Sequence, residues 1–500
     1  MKHSNVSQIY LVNARNDAGT SSISNDYSFP ALGVVALGTW LNNKIPYANV
    51  TVRDGGAVPT KDIITEIEKY KPGIVGVSVL STSYQTSLQI AQAAKDIGAT
   101  VVFGNDQAAQ LGQSILRNRP EVDFVVGSEY GEKSLELLVR NLNGENTGLE
   151  NIPQLTYRLS GEVVGFSYTR DKSKLSILEN PTYGNLARSS ALDIFPIPDR
   201  SLLPKSHWEA YLANYLSKFE SIHKGTTVTG VTTMNRARGC SRSKEIAQCK
   251  FCDMYLDPVF SSPSLFWDDV KKANLQTNAN IFYEVCDSLS SFPRFIDEIV
   301  DAKPSIAELG FDPKFFVYAQ ASDIVRNPKI LEKFKKMGVF RVNIGLESGC
   351  DVTLKHMKGS QDSVMKNNQA IELLSDQGMF LYGSLVLGSD VETPQTLRQT
   401  VNWALDVIDK GLIADIEAQP LLPLPNNFYG KKLRSSGILT NQQLNSDWPW
   451  NFEEMSQIYI NRFSGVSYAD VCEAAKEIRL AASQKRINFG SGVSKEKNYF

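Results

Sequence analysis

The chain has 500 residues, 42% of them hydrophobic, and its 52 Lys and Arg nearly balance 54 Asp and Glu, for a formal net charge of −2. That length exceeds what one hydrophobic core usually serves, and the near-neutral balance gives no global pull toward nucleic acid or a membrane surface. Six cysteines are too few for a disulfide framework and suit a reducing compartment. Met1 to Ser7 is polar, without the apolar centre of a signal peptide, and no stretch offers about 20 uninterrupted apolar residues. These features lead us to expect a cytoplasmic protein of two or three domains, with no membrane contact.

From Gln8 to about Asn143 short apolar runs alternate with amphipathic stretches, the pattern of a doubly wound parallel sheet. The predicted strands are Ile9 to Asn13, Val50 to Asp54, Ile74 to Leu80, Thr100 to Gly104 and Phe124 to Gly127. Helical patterns fall at Leu32 to Leu41, Lys61 to Lys69, Thr82 to Ile97 and Lys133 to Leu142. Ligands of such sheets sit at the carboxyl ends of the strands, where Asp54, Ser78 and Gly104 lie.

The stretch from about Asn151 to Thr227 contains Pro181, Pro196, Pro198 and Pro204 and reads as a connecting region. A second alternation runs to about Ser436. Its strands are Val228 to Met234, Asn280 to Val285, Phe315 to Ala319, Arg341 to Leu346, Phe380 to Leu387 and Ile416 to Leu422. With helices at Trp267 to Ala273, Arg294 to Ala302, Pro328 to Met337, Ser363 to Gln377 and Thr393 to Lys410, this predicts a partial or full (β/α) barrel. The remainder reads as mostly helical, clearest at Tyr468 to Ser483. The expected division is 1–150, 151–227, 228–436 and 437–500.

Just after the first strand of the second alternation, Cys240 is followed by Ser241 to Gln248 and then Cys249-Lys250-Phe251-Cys252. Three soft thiolates from one loop suit zinc or an iron–sulfur cluster better than a disulfide. Three protein ligands leave one metal position open, a catalytic arrangement. Glu284, Cys286 and Asp287 end the second strand, Gly345 to Gly349 the fourth, and Gly383 to Gly388 span the fifth.

The local pattern resembles the radical S-adenosylmethionine (SAM) superfamily, whose motif is C-x3-C-x2-C with an aromatic before the last Cys; Phe251 holds that place. The longer first spacer departs from the motif, at a closure cost under about 1 kcal/mol. Gly345-Leu346-Glu347-Ser348-Gly349 with Leu354, Met357 and Lys358 is similar to the family's "G-I-E-S-G…L…M-K" segment. Gly383-Ser384-Leu385-Val386-Leu387-Gly388 with Glu392-Thr393 resembles its fifth strand. The resemblance implies that Cys240, Cys249 and Cys252 hold a 4Fe-4S cluster and that Asp287, Glu347, Ser348, Gly383, Leu385 and Gly388 approach the SAM. Reductive cleavage of SAM then gives a 5′-deoxyadenosyl radical that abstracts hydrogen from an unactivated carbon.

The first domain resembles the cobalamin-binding domain that precedes many radical SAM cores, through Pro30 to Gly33, Val75 to Ser78 and Val125 to Glu132, and the run Leu192 to Arg200 recurs in that group. Ser78 and Gly104 would then face cobalamin. The "D-x-H-x-x-G" motif is absent, and Gly104-Asn105-Asp106-Gln107 replaces "G-G-x-H", so a bound cobalamin would lack that histidine ligand. Three functions follow as expectations: cobalamin-dependent C-methylation first, a cobalamin-independent radical epimerase or rearrangement enzyme with Cys286, Cys350 or Cys472 as hydrogen donor second, and a non-enzymatic zinc or cobalamin-binding protein third. The enzyme readings imply a small-molecule or peptide substrate and an electron donor such as flavodoxin or ferredoxin, with no nucleic-acid partner.

Overall fold

The computed structural model describes residues 6–15, 28–127, 131–145, 148–165, 190–223, 226–242, 248–253, 258–447 and 452–490. Ser128, Glu129 and Tyr130 of the motif ending at Glu132 lie outside the described residues, as does the middle of the cysteine spacer, 243–247.

The apolar runs of the first third pair as a sheet of parallel strands, β1 (Gln8–Asn13), β2 (Asn49–Asp54), β3 (Ile74–Ser78), β4 (Thr100–Gly104) and β5 (Phe124–Val126). Their order is β2-β1-β3-β4-β5. Both faces are buried. Along β1, Tyr10 and Val12 enter one core and Ile9 and Leu11 the other, and this double burial is why the strands read as continuous apolar runs. The helix Asp106–Asn118, which periodicity did not mark, connects β4 to β5.

The connecting region holds two strands that composition hid. β6 (Leu155–Leu159) and β7 (Glu162–Gly165) extend the sheet antiparallel beyond β5. Ser160 and Gly161 turn the hairpin with φ of 51° and 87°, the left-handed pair that a two-residue hairpin turn requires. Strand β7 has no fully buried residue, so it carries no apolar run to detect.

The second alternation forms six parallel strands, β8 (Val231–Met234), β11 (Ile281–Glu284), β12 (Lys314–Ala319), β13 (Val339–Glu347), β14 (Phe380–Leu387) and β15 (Asp415–Pro420), in that spatial order. This is a partial barrel with β8 and β15 at its edges. Between β8 and β11, the short strands β9 (Ala237–Arg238) and β10 (Val259–Phe260) pair antiparallel and close the base of the cysteine loop. The helix Lys205–Phe219 packs Tyr211, Tyr215 and Phe219 against Val231, Ile281, Phe316 and Phe380 near the starts of the strands. It therefore closes the amino-terminal end of the barrel. The carboxyl-terminal helix Tyr468–Gly490 shields edge strand β15, with Arg479 Nη1 donating to the Ala418 carbonyl at 2.9 Å.

One buried ion triad ties the connecting segment to the barrel. Asp269, on the helix Pro263–Thr277, accepts from Arg200 Nη1 and from Arg236 Nε, each at 2.7 Å, and both Arg200 and Asp269 are fully buried. Arg200 also donates to Thr232 Oγ1 and the Thr233 carbonyl of β8. Burial alone would raise the Asp269 carboxyl, but the two guanidiniums outweigh it and hold the group below its ordinary range. Removing the shared anion would leave two buried cations unpaired, so Asp269→Asn is expected to cost about 3–5 kcal/mol in urea-monitored stability. A loss under about 1 kcal/mol, the range of an exposed pair, would contradict this role.

Candidate functional site

The cysteine loop begins on a buried carboxyl. Glu284, at the end of β11, accepts from the Arg236 and Ala237 amides at 3.0 and 3.4 Å. Three residues on, Asp287 Oδ2 accepts from the Gly239 amide at 3.0 Å. Two strand-end acids thus hold the chain just before Cys240.

Just beyond Cys240, Arg242 turns inward. Arg242 is buried, donating to the Lys358 carbonyl at 2.8 Å, to Ser322 Oγ at 3.1 Å and to Gln320, and pairing with Asp362. Its Nη1 lies 3.9 Å from Cys249 Sγ, while Gln320 Nε2 lies 3.3 Å from Cys240 Sγ. The segment from Cys249 to Cys252 is clamped by the Lys250 amide on the Met357 carbonyl, the Phe428 amide on the Lys250 carbonyl, and Asn427 Nδ2 on the Phe251 carbonyl. Phe251 packs against the main core. Arg242, Gln320 and Asp362 escaped the sequence reading because a single polar residue in a loop carries no periodic signal.

Glu347 closes the same corner. Its carboxyl is buried, lies 3.5 Å from Lys358 Nζ, and folds back over Gly345, where any Cβ would collide with Oε1. Lys358 also donates to the Gly345 carbonyl at 2.6 Å. Glu347 has φ of 59°, a strained left-handed conformation for a side chain of this size, at the point where the pairing of β13 with β14 slips register. Both features turn the carboxyl out of the regular strand pattern.

The other strand-end candidates divide. Ser348 Oγ faces Thr400 at 2.9 Å and accepts from the Cys350 amide. Leu385 lies in the main hydrophobic core. Gly383 leaves room for Leu346 and Ile416, and Gly388, with φ of 93°, admits Ile460 and Val471 of the terminal helices. Glu392 accepts from Thr396 Oγ1 and Thr353 Oγ1, a role in fixing the end of β14. Cys286 and Cys350 are buried, and none of Cys286, Cys350 and Cys472 lines either of the two cavities described below.

A cavity of about 720 Å³ joins the two sheets. Ser78, Gly104 and Asn105 line one side, and Asn235, Arg238 and Asp287 the other. Asn105, at φ of 82°, turns its amide onto Ser78 Oγ at 3.2 Å. Arg238 spans the junction, 3.8 Å from Glu132 of the first domain and 4.9 Å above the ring of Phe195.

The donor chemistry fits a cluster bearing negative charge. Burial pushes the Cys240 and Cys249 thiols up, and the nearby Lys358 and Arg242 charges favour the Cys249 thiolate. Among the described residues no three His, Cys, Asp or Glu side chains converge on a point where a single metal ion would sit. The large cavity, with open space above Gly33 and Gly104 where a Cβ would meet at most one backbone oxygen, suits a bulky cofactor of the first domain. No His lines it among the described residues.

The B12 binding domain family matches residues 24–139, and the Radical SAM superfamily matches residues 234–404. The chain is a radical SAM enzyme with an N-terminal B12-binding domain. This family brings a 4Fe-4S cluster and SAM, and the B12-binding domain brings cobalamin, which decides between the iron–sulfur and zinc readings. The chain is 23% identical over 351 residues to the anaerobic magnesium-protoporphyrin IX monomethyl ester cyclase of Rubrivivax gelatinosus, covering 68% of this chain and 55% of that protein. It thus spans about half the length of that relative. It is also 23% identical over 429 residues to the uncharacterized methyltransferase PH0819 of Pyrococcus horikoshii, covering 84% and 81%. Among solved structures, the radical SAM methyltransferase TsrM from Kitasatospora setae, with cobalamin and a [4Fe-4S] cluster bound, superposes with a TM-score of 0.64 at 15% identity, over 87% of this chain and 79% of that one. The cobalamin-dependent radical SAM enzyme OxsB gives 0.56 at 19% identity, over 93% and 57%. At these identities the structural matches establish the fold.

Burial raises the Glu284 carboxyl to about 8, against the opposing Arg236 and Ala237 amides. Folding therefore takes up a proton between the ordinary carboxylate value and about pH 8, and the stability this group contributes is full at low pH and falls across that window. Relative to wild type, Glu284→Gln is expected to gain stability as pH rises from about 6 to 8, by up to about 1.4 kcal/mol per unit. Parallel pH profiles for the two proteins would contradict the assignment.

Proposed function

We propose that this enzyme is a cobalamin-dependent C-methyltransferase acting on a small molecule or peptide, with electrons from a flavodoxin- or ferredoxin-like donor. The observation that carries the reading is the shared cavity: its walls run from the strand ends Ser78 and Gly104 to Asp287, whose carboxyl holds the Gly239 amide beside Cys240. Groups bound on the two domains would face one another across a single space.

Cys240, Cys249 and Cys252 are the proposed cluster ligands. Once bound, the cofactors supply SAM cleavage and a transferable methyl group. The chain's part is to position and shield. Arg242 and Lys358 offset thiolate charge near Cys249, and Glu347, held by Lys358 in its strained conformation, presents a carboxylate to the SAM side of the mouth. Asp287 serves the same mouth from β11, and Ser78 and Gly104 line the cobalamin side. Of the strand β14 positions, Gly383, Leu385 and Gly388 are better assigned to packing, and Ser348 to the turn that follows β13. The epimerase alternative draws less support, since Cys286, Cys350 and Cys472 are not among the residues that line the two cavities.

The cyclase relative favours a second outcome, hydrogen abstraction leading to ring formation. Product analysis separates the two. Anaerobic incubation with SAM, reductant, cobalamin and a substrate is expected to yield both 5′-deoxyadenosine and S-adenosylhomocysteine, with the homocysteine product lost when cobalamin is omitted and both lost in Cys252→Ala. Formation of 5′-deoxyadenosine alone in the presence of cobalamin would overturn methyl transfer.

A further inference from the structure

Inside the barrel, below the strand ends, a second cavity of about 400 Å³ adjoins the first, and Leu32, Gly33, Asn235, Tyr283 and Val285 line both. Residues of the first domain form one wall: Phe29 packs on Tyr283 and Phe316, with ring centroids 5.4 and 6.0 Å away, and the Pro30 carbonyl accepts from Thr233 Oγ1 at 2.9 Å. The volume is near the lower end of small-ligand sites and far too small for a folded partner.

Two polar side chains in this cavity lack partners. Arg341 and Asn343, two residues apart on β13, are 5% and 6% exposed, and Arg341 Nη1 and Asn343 Oδ1 make no hydrogen bond. Among the described residues no carboxylate pairs with Arg341. The guanidinium instead lies against aromatic rings, 4.5 Å from the centroid of Phe219, 4.3 Å from Phe316 and 5.0 Å from Tyr382. Cation–π contact fixes the plane of the group but leaves its hydrogen-bonding edge unsatisfied. A buried guanidinium without an anion is costly, and a site that tolerates it is poised for one.

We propose that this cavity is the substrate subsite and that it takes a small molecule with a carboxylate and a flat apolar body. Arg341 receives the carboxylate, and the aromatic walls of Tyr283, Phe316 and Tyr382 receive the body. One guanidinium matches one negative charge, and the adjacent Asn343 side-chain amide can donate to or accept from a group beside the carboxylate. This assignment deepens the methyltransferase reading and rests on it for the word substrate.

The test uses anaerobically reconstituted full-length protein and calorimetric titration with indole-3-acetate and 1-naphthoate, each beside its primary amide. Wild type is expected to prefer each acid over its amide, and Arg341→Gln to lose about 10- to 100-fold of acid affinity while binding the amides unchanged. Arg341→Lys, which keeps the charge, is expected to retain part of the preference and guards against misfolding of the glutamine variant. Equal binding of acids and amides by wild type, no binding of either acid, or an acid preference that survives in Arg341→Gln overturns the proposal. Iron content and SAM affinity of the same wild-type preparation report on the radical SAM chemistry separately: a loaded cluster without acid preference refutes only the subsite.

Discussion

The architecture of the site depends on one carboxylate. Asp269 sits between Arg200, from the segment that leaves the first domain, and Arg236, which leads into the cysteine loop. A buried anion flanked by two guanidiniums tolerates little displacement, because losing either contact exposes an uncompensated charge to a low-dielectric interior. The linker, strand β8 and the start of the loop are therefore fixed relative to one another. The cavity between the two domains is a consequence of that fixed junction, with Arg238 and Glu132 meeting across it.

The remaining anchors act in series from that junction. Glu284 and Asp287 hold the entry to the loop, and Arg242 anchors its start to Gln320, Ser322 and Asp362. Arg242, two residues past Cys240, carries a cation into the site: it reaches Cys249 and the carbonyl of Lys358, whose ammonium in turn holds Glu347. Backbone strain at Glu347 is sustained by this network, as strain at functional positions generally is.

Much of this was legible in the sequence, and the reason is physical. Parallel strands buried on both faces are largely apolar, so β1, β3, β4 and β5 announce themselves as continuous runs, while β2 and the barrel strands keep an apolar face even where Arg53, Arg341, Asn343 and Glu417 interrupt the run. The hairpin of β6 and β7 does not, because it is short and half exposed. Motif likeness singled out the loop, Glu347 and the β14 positions alike, without separating contact from packing. Leu385 and Gly388 belong to the same motif-like strand segment, yet one fills the core and the other makes room for Ile460. Arg242 and Arg341 were invisible for a different reason: their significance lies in which groups surround them after folding, which no local spacing encodes.

The central claim is that the three cysteines hold a 4Fe-4S cluster with one iron open to SAM. Electron paramagnetic resonance of the reduced, anaerobically reconstituted protein, recorded before and after SAM addition beside iron, sulfide and zinc analysis, tests it most directly. The expected result is equimolar iron and sulfide and a cluster signal that shifts when SAM is added, both absent in Cys249→Ala. Stoichiometric zinc without iron, or a cluster signal indifferent to SAM, would contradict it.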